Sequence, residues 1–170
     1  FLPFDQGSNG AGEVGGAGNP PAPDGGYPTA YLWQRVLCRD ALLELLHKFL
    51  HLEKTEKKDP ATGKVSVRER LIFPRYHQWD VLHKLLDDIR AHGPGQQYLI
   101  QHSAGSGKSN SIAWLAHRLS GLHDAQEAKI FQSVIVVTDR RVLDRQLRDT
   151  ILQFEQTDGL VHAISKDSAQ

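Results

Sequence analysis

Between Tyr31 and Leu50, "YLWQRVLCRDALLELLHKFL" places Leu32, Val36, Leu42, Leu43, Leu46, Phe49 and Leu50 at helical spacing. Asp40 stands ahead of "ALLELLHKFL", a position suited to an N-cap. Residues 73–92, "FPRYHQWDVLHKLLDDIRAH", predict a second helix with Trp79, Leu82, Leu85, Leu86 and Ile89 along its apolar face. Pro74 sits at its start, where a missing N–H costs nothing, and Gly93-Pro94-Gly95 stops it. Residues 108–120 predict a third helix, with Ile112, Leu115, Ala116 and Leu119 on one side. Residues 140–154, "RRVLDRQLRDTILQF", predict a fourth.

Two shorter runs are apolar without helical period. "QYLIQ", 97–101, reads as a buried strand. "SVIVVT", 133–138, is apolar and β-branched, as a parallel strand covered on both faces must be. "LVHAIS", 160–165, begins a third strand. The succession helix, strand, loop, helix, strand, helix, strand is a βαβ pattern, so the expected fold class is α/β with a parallel sheet.

Ahead of this pattern the chain changes character. Residues 5–29 are dominated by Gly, Pro, Asn and Asp and read as a linker or long loop, because they bury too little to offset their ordering entropy. "EKTEKKDPATGKVSVRER" is a charged run around the turn signal "DPATGK", expected to be a solvated loop or hairpin. Its Glu56 and Lys58 spell E-x-K, a fragment of a metal-dependent nuclease signature that means little in a charge run. The expected organisation is a linker over 1–30, a connecting helix and charged loop over 31–72, and an α/β domain over 73–170. No internal repeat is present.

Composition changes this picture little. Lys+Arg and Asp+Glu are equal at 20 each, so any basic surface must be local. The single cysteine, Cys38, excludes an internal disulfide and a cysteine-based zinc site and suits a reduced, cytoplasmic setting. No apolar run approaches the roughly 20 residues of a membrane span. The opening residues have neither a basic region nor a long apolar one, so no signal peptide is expected. A chain that opens on Phe1 and has no methionine fits an internal piece of a longer protein.

Chemistry concentrates at the junction of the first strand and the third helix, "QHSAGSGKSNS". Ser103, Ala104, Gly105 and Ser106 precede Gly107-Lys108-Ser109, the phosphate-loop pattern apart from its usual first Gly or Ala, where His102 stands. Glycines permit positive φ and close approach of amides to phosphate, and the helix N-terminus points at the same anion. Lys108 is the expected catalytic cation on the β- and γ-phosphates, and the Ser109 hydroxyl joins the Mg²⁺ shell. The plain alternative is a Gly/Ser surface loop, which a strand–helix junction makes hard to reach by chance.

Upstream, Arg75 and Gln78 in "FPRYHQWDV" resemble the glutamine-containing adenine-reading element of superfamily 2 helicases. An amide both donates to and accepts from adenine, a match guanine lacks. Alone, Gln78 reads as an ordinary helix-surface residue. Downstream, Thr138, Arg140 and Arg141 stand at the C-terminal end of a strand, where ligands lie, and could hold nucleic-acid phosphates. The plain alternative has Asp139 capping the next helix and both arginines solvated.

Taken together, "IFPRYHQWDVLHKL", "YLIQHSAGSGKSNSIAWLAHRL" and "VIVVTDRRVLDRQL" resemble the motor part of type I restriction enzyme R (endonuclease/translocase) subunits. "LPFDQG…GAGNPP" followed by "YLWQRVL" resembles their nuclease-to-motor connection. The resemblance covers nearly the whole chain, and "QHSAGSGKS" with its histidine is common in that family. It implies that 73–170 is the N-terminal part of a first RecA-like domain, binding ATP and Mg²⁺ and driving translocation along double-stranded DNA. It also implies an N-terminal nuclease domain and assembly with methyltransferase and specificity subunits.

The Walker B motif, the second RecA-like domain with its arginine finger, and the nuclease core are expected outside the 170 residues. Loss of the finger alone costs roughly a thousandfold in rate, so this stretch is expected to hydrolyse ATP negligibly and to cleave no DNA.

Three rivals remain: another superfamily 2 motor, such as a type III restriction enzyme or a remodeller; a small-molecule kinase; and a truncated binding module. The Arg75/Gln78 element and "TDRR" argue against the kinase. His47 and His51 stand four apart but lack the glutamate of a metalloprotease helix, and read as surface residues. His77 reads likewise. Trp33, Trp79 and Trp114 are expected in the core.

Overall fold

A computed structural model describes residues 4–7, 18–60, 62–139, 141–154 and 161–162, without the side chains of Lys58, Arg141, Val142 and Leu143. The chain divides into two compact units, Phe1–Val81 and Leu82–Gln170. In order, the elements are a π-helical turn Leu32–Val36, α1 (Arg39–Glu44), a second π-helical turn Leu45–Phe49, and β1 (His51–Lys58). Then follow β2 (Val65–Ile72), α2 (Tyr76–His92), α3 (Lys108–Ser120) and α4 (Arg141–Gln153). The unit boundary falls inside α2, after Val81.

In the first unit, aromatic rings gather on Tyr76. The ring centroids of Tyr31, Phe4 and Trp79 lie 5.1, 5.6 and 5.8 Å away. Phe4 also meets Phe73 edge-on at 5.6 Å. Such pairs contribute about 0.5–1.5 kcal/mol each beyond burial. The Tyr31 hydroxyl donates to the Phe4 carbonyl at 2.6 Å, and Gln6 Nε2 to the Tyr76 hydroxyl at 3.4 Å. Phe4 and Gln6, at the described start of the Gly/Pro-rich segment, are therefore held on the unit. The Arg35 guanidinium stacks 5.6 Å from the Trp79 centroid, while Trp33 is half exposed, against expectation.

The continuous helix expected over 31–50 is corrected. Leu37 N–H donates to the Leu32 carbonyl at 2.6 Å, and Leu50 N–H to that of Leu45 at 3.0 Å, both bonds spanning five residues. The chain bends at Leu37 and Cys38 between the first wide turn and α1. Wide turns shift which side chains share a face. Tyr31, Val36, Leu45 and Phe49 are buried, whereas Leu42, Leu43 and Leu46 are exposed. Cys38, not Asp40, is the N-cap residue of α1.

Of the loop and the hairpin that the charged run allowed, it folds as the hairpin. β1 and β2 pair antiparallel, with His51 opposite Ile72 and Lys58 opposite Val65. In the turn, Gly63 takes φ +67°, a left-handed conformation that disfavours side-chain residues, and Thr62 Oγ1 donates to Asp59 Oδ2 at 2.7 Å.

In the second unit, Leu86 and Ile89 of α2 form a core cluster with Leu122, joined by Leu119, Ile130 and Phe131. Ala113 of α3 packs with Leu147 and Ile151 of α4, joined by Phe154 and Val161. Trp114 meets Phe154 edge-on at 5.3 Å, and the His117 ring nitrogen bonds the Ile151 carbonyl at 2.8 Å. The predicted apolar stripe of α2 is buried throughout.

The predicted parallel sheet is absent from the described residues. The sheet they contain is the antiparallel hairpin, and 97–101 and 133–138 form no ladder. Leu99 is 94% exposed and Val137 85%. A parallel strand needs strand neighbours for its backbone and helices for both faces, and composition cannot supply them. Of the third expected strand, 160–165, only Val161 and His162 are among the described residues.

Candidate nucleotide-binding site

The phosphate-loop residues come together as one open turn leading into α3. Gly105 has φ +74° and Gly107 φ +83°. Gly107 is the N-cap of α3 in the left-handed region, where a side-chain residue costs about 1–2 kcal/mol. Ser106, buried to 6% exposure, donates its N–H to the Ser103 carbonyl at 3.3 Å and closes the turn. Ser103, Ala104, Gly105, Lys108 and Ser109 are exposed. The first amides of a helix have no partner within it and present partial positive charge outward.

The Lys108 side chain folds back onto its own loop. Its ammonium donates to the Ser103 carbonyl at 2.8 Å and the His102 carbonyl at 3.1 Å. Two neutral oxygens thus hold the cation on the loop where a phosphate would compete for it. α3 is anchored behind the loop by Ala113 and Trp114, both buried.

These residues fit a nucleotide triphosphate: a cation held on the loop, two left-handed glycines, a helix N-terminus, and the exposed Ser109 hydroxyl. A Cβ added at Gly105 meets nothing within 4 Å, so the loop is open above it. No group of three His, Cys, Asp or Glu among the described residues could hold a metal.

Gln78 lies in the first unit and is buried to 3% exposure. Its Oε1 accepts the Arg75 backbone N–H at 2.9 Å. Arg75 precedes the first residue of α2 and Gln78 is its third, so this is one half of a capping box. The adenine-reading candidate therefore has a helix-starting role that its spacing from Arg75 already permitted.

Thr138 donates its hydroxyl to Asp144 Oδ1 at 3.3 Å, across the start of α4. Arg140 lies outside the described residues, and Arg141 opens α4 with its side chain undescribed.

Other features escaped the sequence reading. Carbonyls of His102 and Ser103 leave no sequence signal, since every residue has one. Tyr98 Oη donates to Asp88 Oδ2 at 2.6 Å, tying the run before the loop to α2. That hydrogen bond, with lesser help from desolvation and the Asp88 charge, pushes the Tyr98 phenol up to about 12.

No described helix is long and apolar enough to cross a membrane. No curated protein and no solved structure matches the chain. A family model described as SWI2/SNF2 ATPase matches residues 77–168, more than half of the chain, and this span contains the whole phosphate loop and Gln78. The chain thus belongs to the SWI2/SNF2 ATPase family and is part of a superfamily 2 helicase-like ATPase motor.

Proposed function

We propose that the chain binds ATP-Mg²⁺ through residues 103–109 and belongs to a motor translocating double-stranded DNA, the R subunit of a type I restriction enzyme. The phosphate loop carries the reading: a lysine resting on two carbonyls at a helix N-terminus, inside the family match.

Lys108 exchanges its two carbonyl acceptors for β- and γ-phosphate oxygens. Gly105 and Gly107 let the backbone amides approach, and the α3 N-terminus adds its dipole. Ser109 contributes one oxygen to the Mg²⁺ shell, and Arg75 and Gln78 serve adenine recognition. ATP supplies the phosphoryl group whose hydrolysis drives the motor. Thr138, Arg140 and Arg141 contact DNA phosphates. The type I assignment rests on the three resembling segments named above; its partners are double-stranded DNA and the methyltransferase and specificity subunits, in the cytoplasm, with cleavage carried by a nuclease domain.

Calorimetry with ATP-Mg²⁺, with GTP as control, tests the site. Saturable ATP binding that disappears in Lys108→Ala is expected; equal binding of ATP and GTP removes the adenine role, and binding indifferent to Lys108 removes the cradle. A second reading, a remodeller-type motor, is favoured by the family description itself. Capture of the chain by methyltransferase and specificity subunits supports the type I assignment. Failure of capture by a folded chain leaves the remodeller reading.

A further inference from the structure

We infer that the turn-proximal face of the β1–β2 hairpin, bearing Lys57 and Arg68, is a contact surface for the phosphate backbone of double-stranded DNA. Side chains alternate across a strand, so Thr55 opposite Arg68 and Lys57 opposite Ser66 put these four on one face. Farther from the turn, the same face is neutralised: Arg70 pairs with Glu53 at 2.9 Å. The other face carries the Lys54–Glu69 pair at 3.0 Å, and Glu56 opposite Val67.

Among the paired residues nearest the turn this face holds no carboxylate; Asp59, in the turn itself, accepts from Thr62 Oγ1 and lies opposite Lys64. Lys57 and Arg68 are exposed and form no ion pair among the described residues. They are diagonal across the two strands, roughly 7–8 Å apart by the usual geometry of such pairs, where like charges repel. Lys64, at the end of the turn, is also exposed, but it lies opposite Asp59, so the excess of positive charge is that of Lys57 and Arg68.

Charges on an open hairpin also prevent edge-to-edge aggregation, but either sign serves that purpose, and the ion-paired stretch already carries both. Segregation of cations beside two hydroxyls is the residue set that contacts phosphate oxygens. A two-stranded ribbon exposed on both faces also has the dimensions of the DNA major groove. The choice of DNA among polyanions rests on the motor reading above; the cationic face does not.

The test is fluorescence anisotropy of a labelled duplex with the 170-residue chain, without nucleotide, across a salt series. The parent is expected to bind the duplex in preference to either of its single strands. Lys57→Glu/Arg68→Glu is expected to weaken binding at least tenfold at low salt and to lower the slope of log K against log salt by about two. Lys129→Glu, a single charge reversal elsewhere in the chain, is expected to behave as the parent. Circular dichroism reports folding; should the double reversal fail to fold, Lys57→Gln/Arg68→Gln gives the same test with a smaller loss. A parent-like slope in a folded hairpin variant, an equal loss in Lys129→Glu, a preference for single strands, or no duplex binding by the parent overturns the inference. ATP binding measured on the same proteins separates the two readings: its loss in the parent removes the nucleotide site, whereas unaltered DNA binding in the hairpin variant removes only the inference.

Discussion

The Lys108 ammonium and the Ser103 carbonyl oxygen lie 2.8 Å apart, so the cation of the phosphate loop is bonded to the loop's own backbone. The contact is exposed, and an exposed hydrogen bond of this kind contributes about 1 kcal/mol net. Lys108→Ala is therefore expected to leave the thermal midpoint without nucleotide nearly unchanged while lowering ATP affinity at least tenfold. Differential scanning fluorimetry and calorimetry on one preparation check this; a midpoint that collapses makes the lysine a structural residue.

Gly107→Ala separates backbone from charge. The left-handed φ of +83° makes alanine cost about 1 kcal/mol or more, read by chemical denaturation, with Lys108 still present. ATP affinity is expected to fall with it, since the loop must keep this conformation for its amides to face phosphate. Unchanged stability and affinity would show that the loop does not need the left-handed turn.

Gln78 has two candidate duties that one pair of variants divides. Gln78→Ala removes the acceptor for the Arg75 N–H and is expected to destabilise by about 1–2 kcal/mol. Gln78→Glu keeps an acceptor oxygen there but removes the amide donor. Near-parent stability with weakened preference for ATP over GTP is expected. Retained preference assigns Gln78 to the helix start alone.

Tyr98 offers a pH signature. Its folded-state pKa of about 12 lies above the ordinary value of 10.0, so folding favours the neutral phenol. This contribution is fully present below about pH 10 and is lost as pH rises through about 12. Ultraviolet titration is expected to show one late-ionising tyrosine, and Asp88→Asn is expected to return it toward the ordinary range. No change in that variant would remove the Tyr98–Asp88 bond as the cause.

Trp114, 2% exposed and set against Phe154, anchors the helix that carries the loop. Trp114→Ala is expected to cost about 3–5 kcal/mol in denaturant unfolding. A loss below 1 kcal/mol would mean that α3 is held by other contacts.

What the sequence by itself determined is local. Helical spacing of apolar residues placed α2 and its buried stripe. It placed α3 too, but the face that α3 buries is Ser111, Ala113 and Trp114, not the predicted Ile112, Leu115, Ala116 and Leu119. The packing of Ala113 on α4 and of Trp114 on Phe154 decides that face. "DPATGK" marked the hairpin turn, since left-handed backbone at Gly63 is cheapest for glycine. Gly107-Lys108-Ser109 marked the loop for the same reason. Tertiary structure decided what depends on partners distant in the chain. It broke the 31–50 helix into wide turns that bury Val36, Leu45 and Phe49, and it docked Phe4 on Tyr76. It left 97–101 and 133–138 unpaired, because a strand is defined by neighbours its own residues do not contain. It also set Lys108 on two carbonyls, a contact built from backbone atoms common to every residue and so absent from any pattern of side chains.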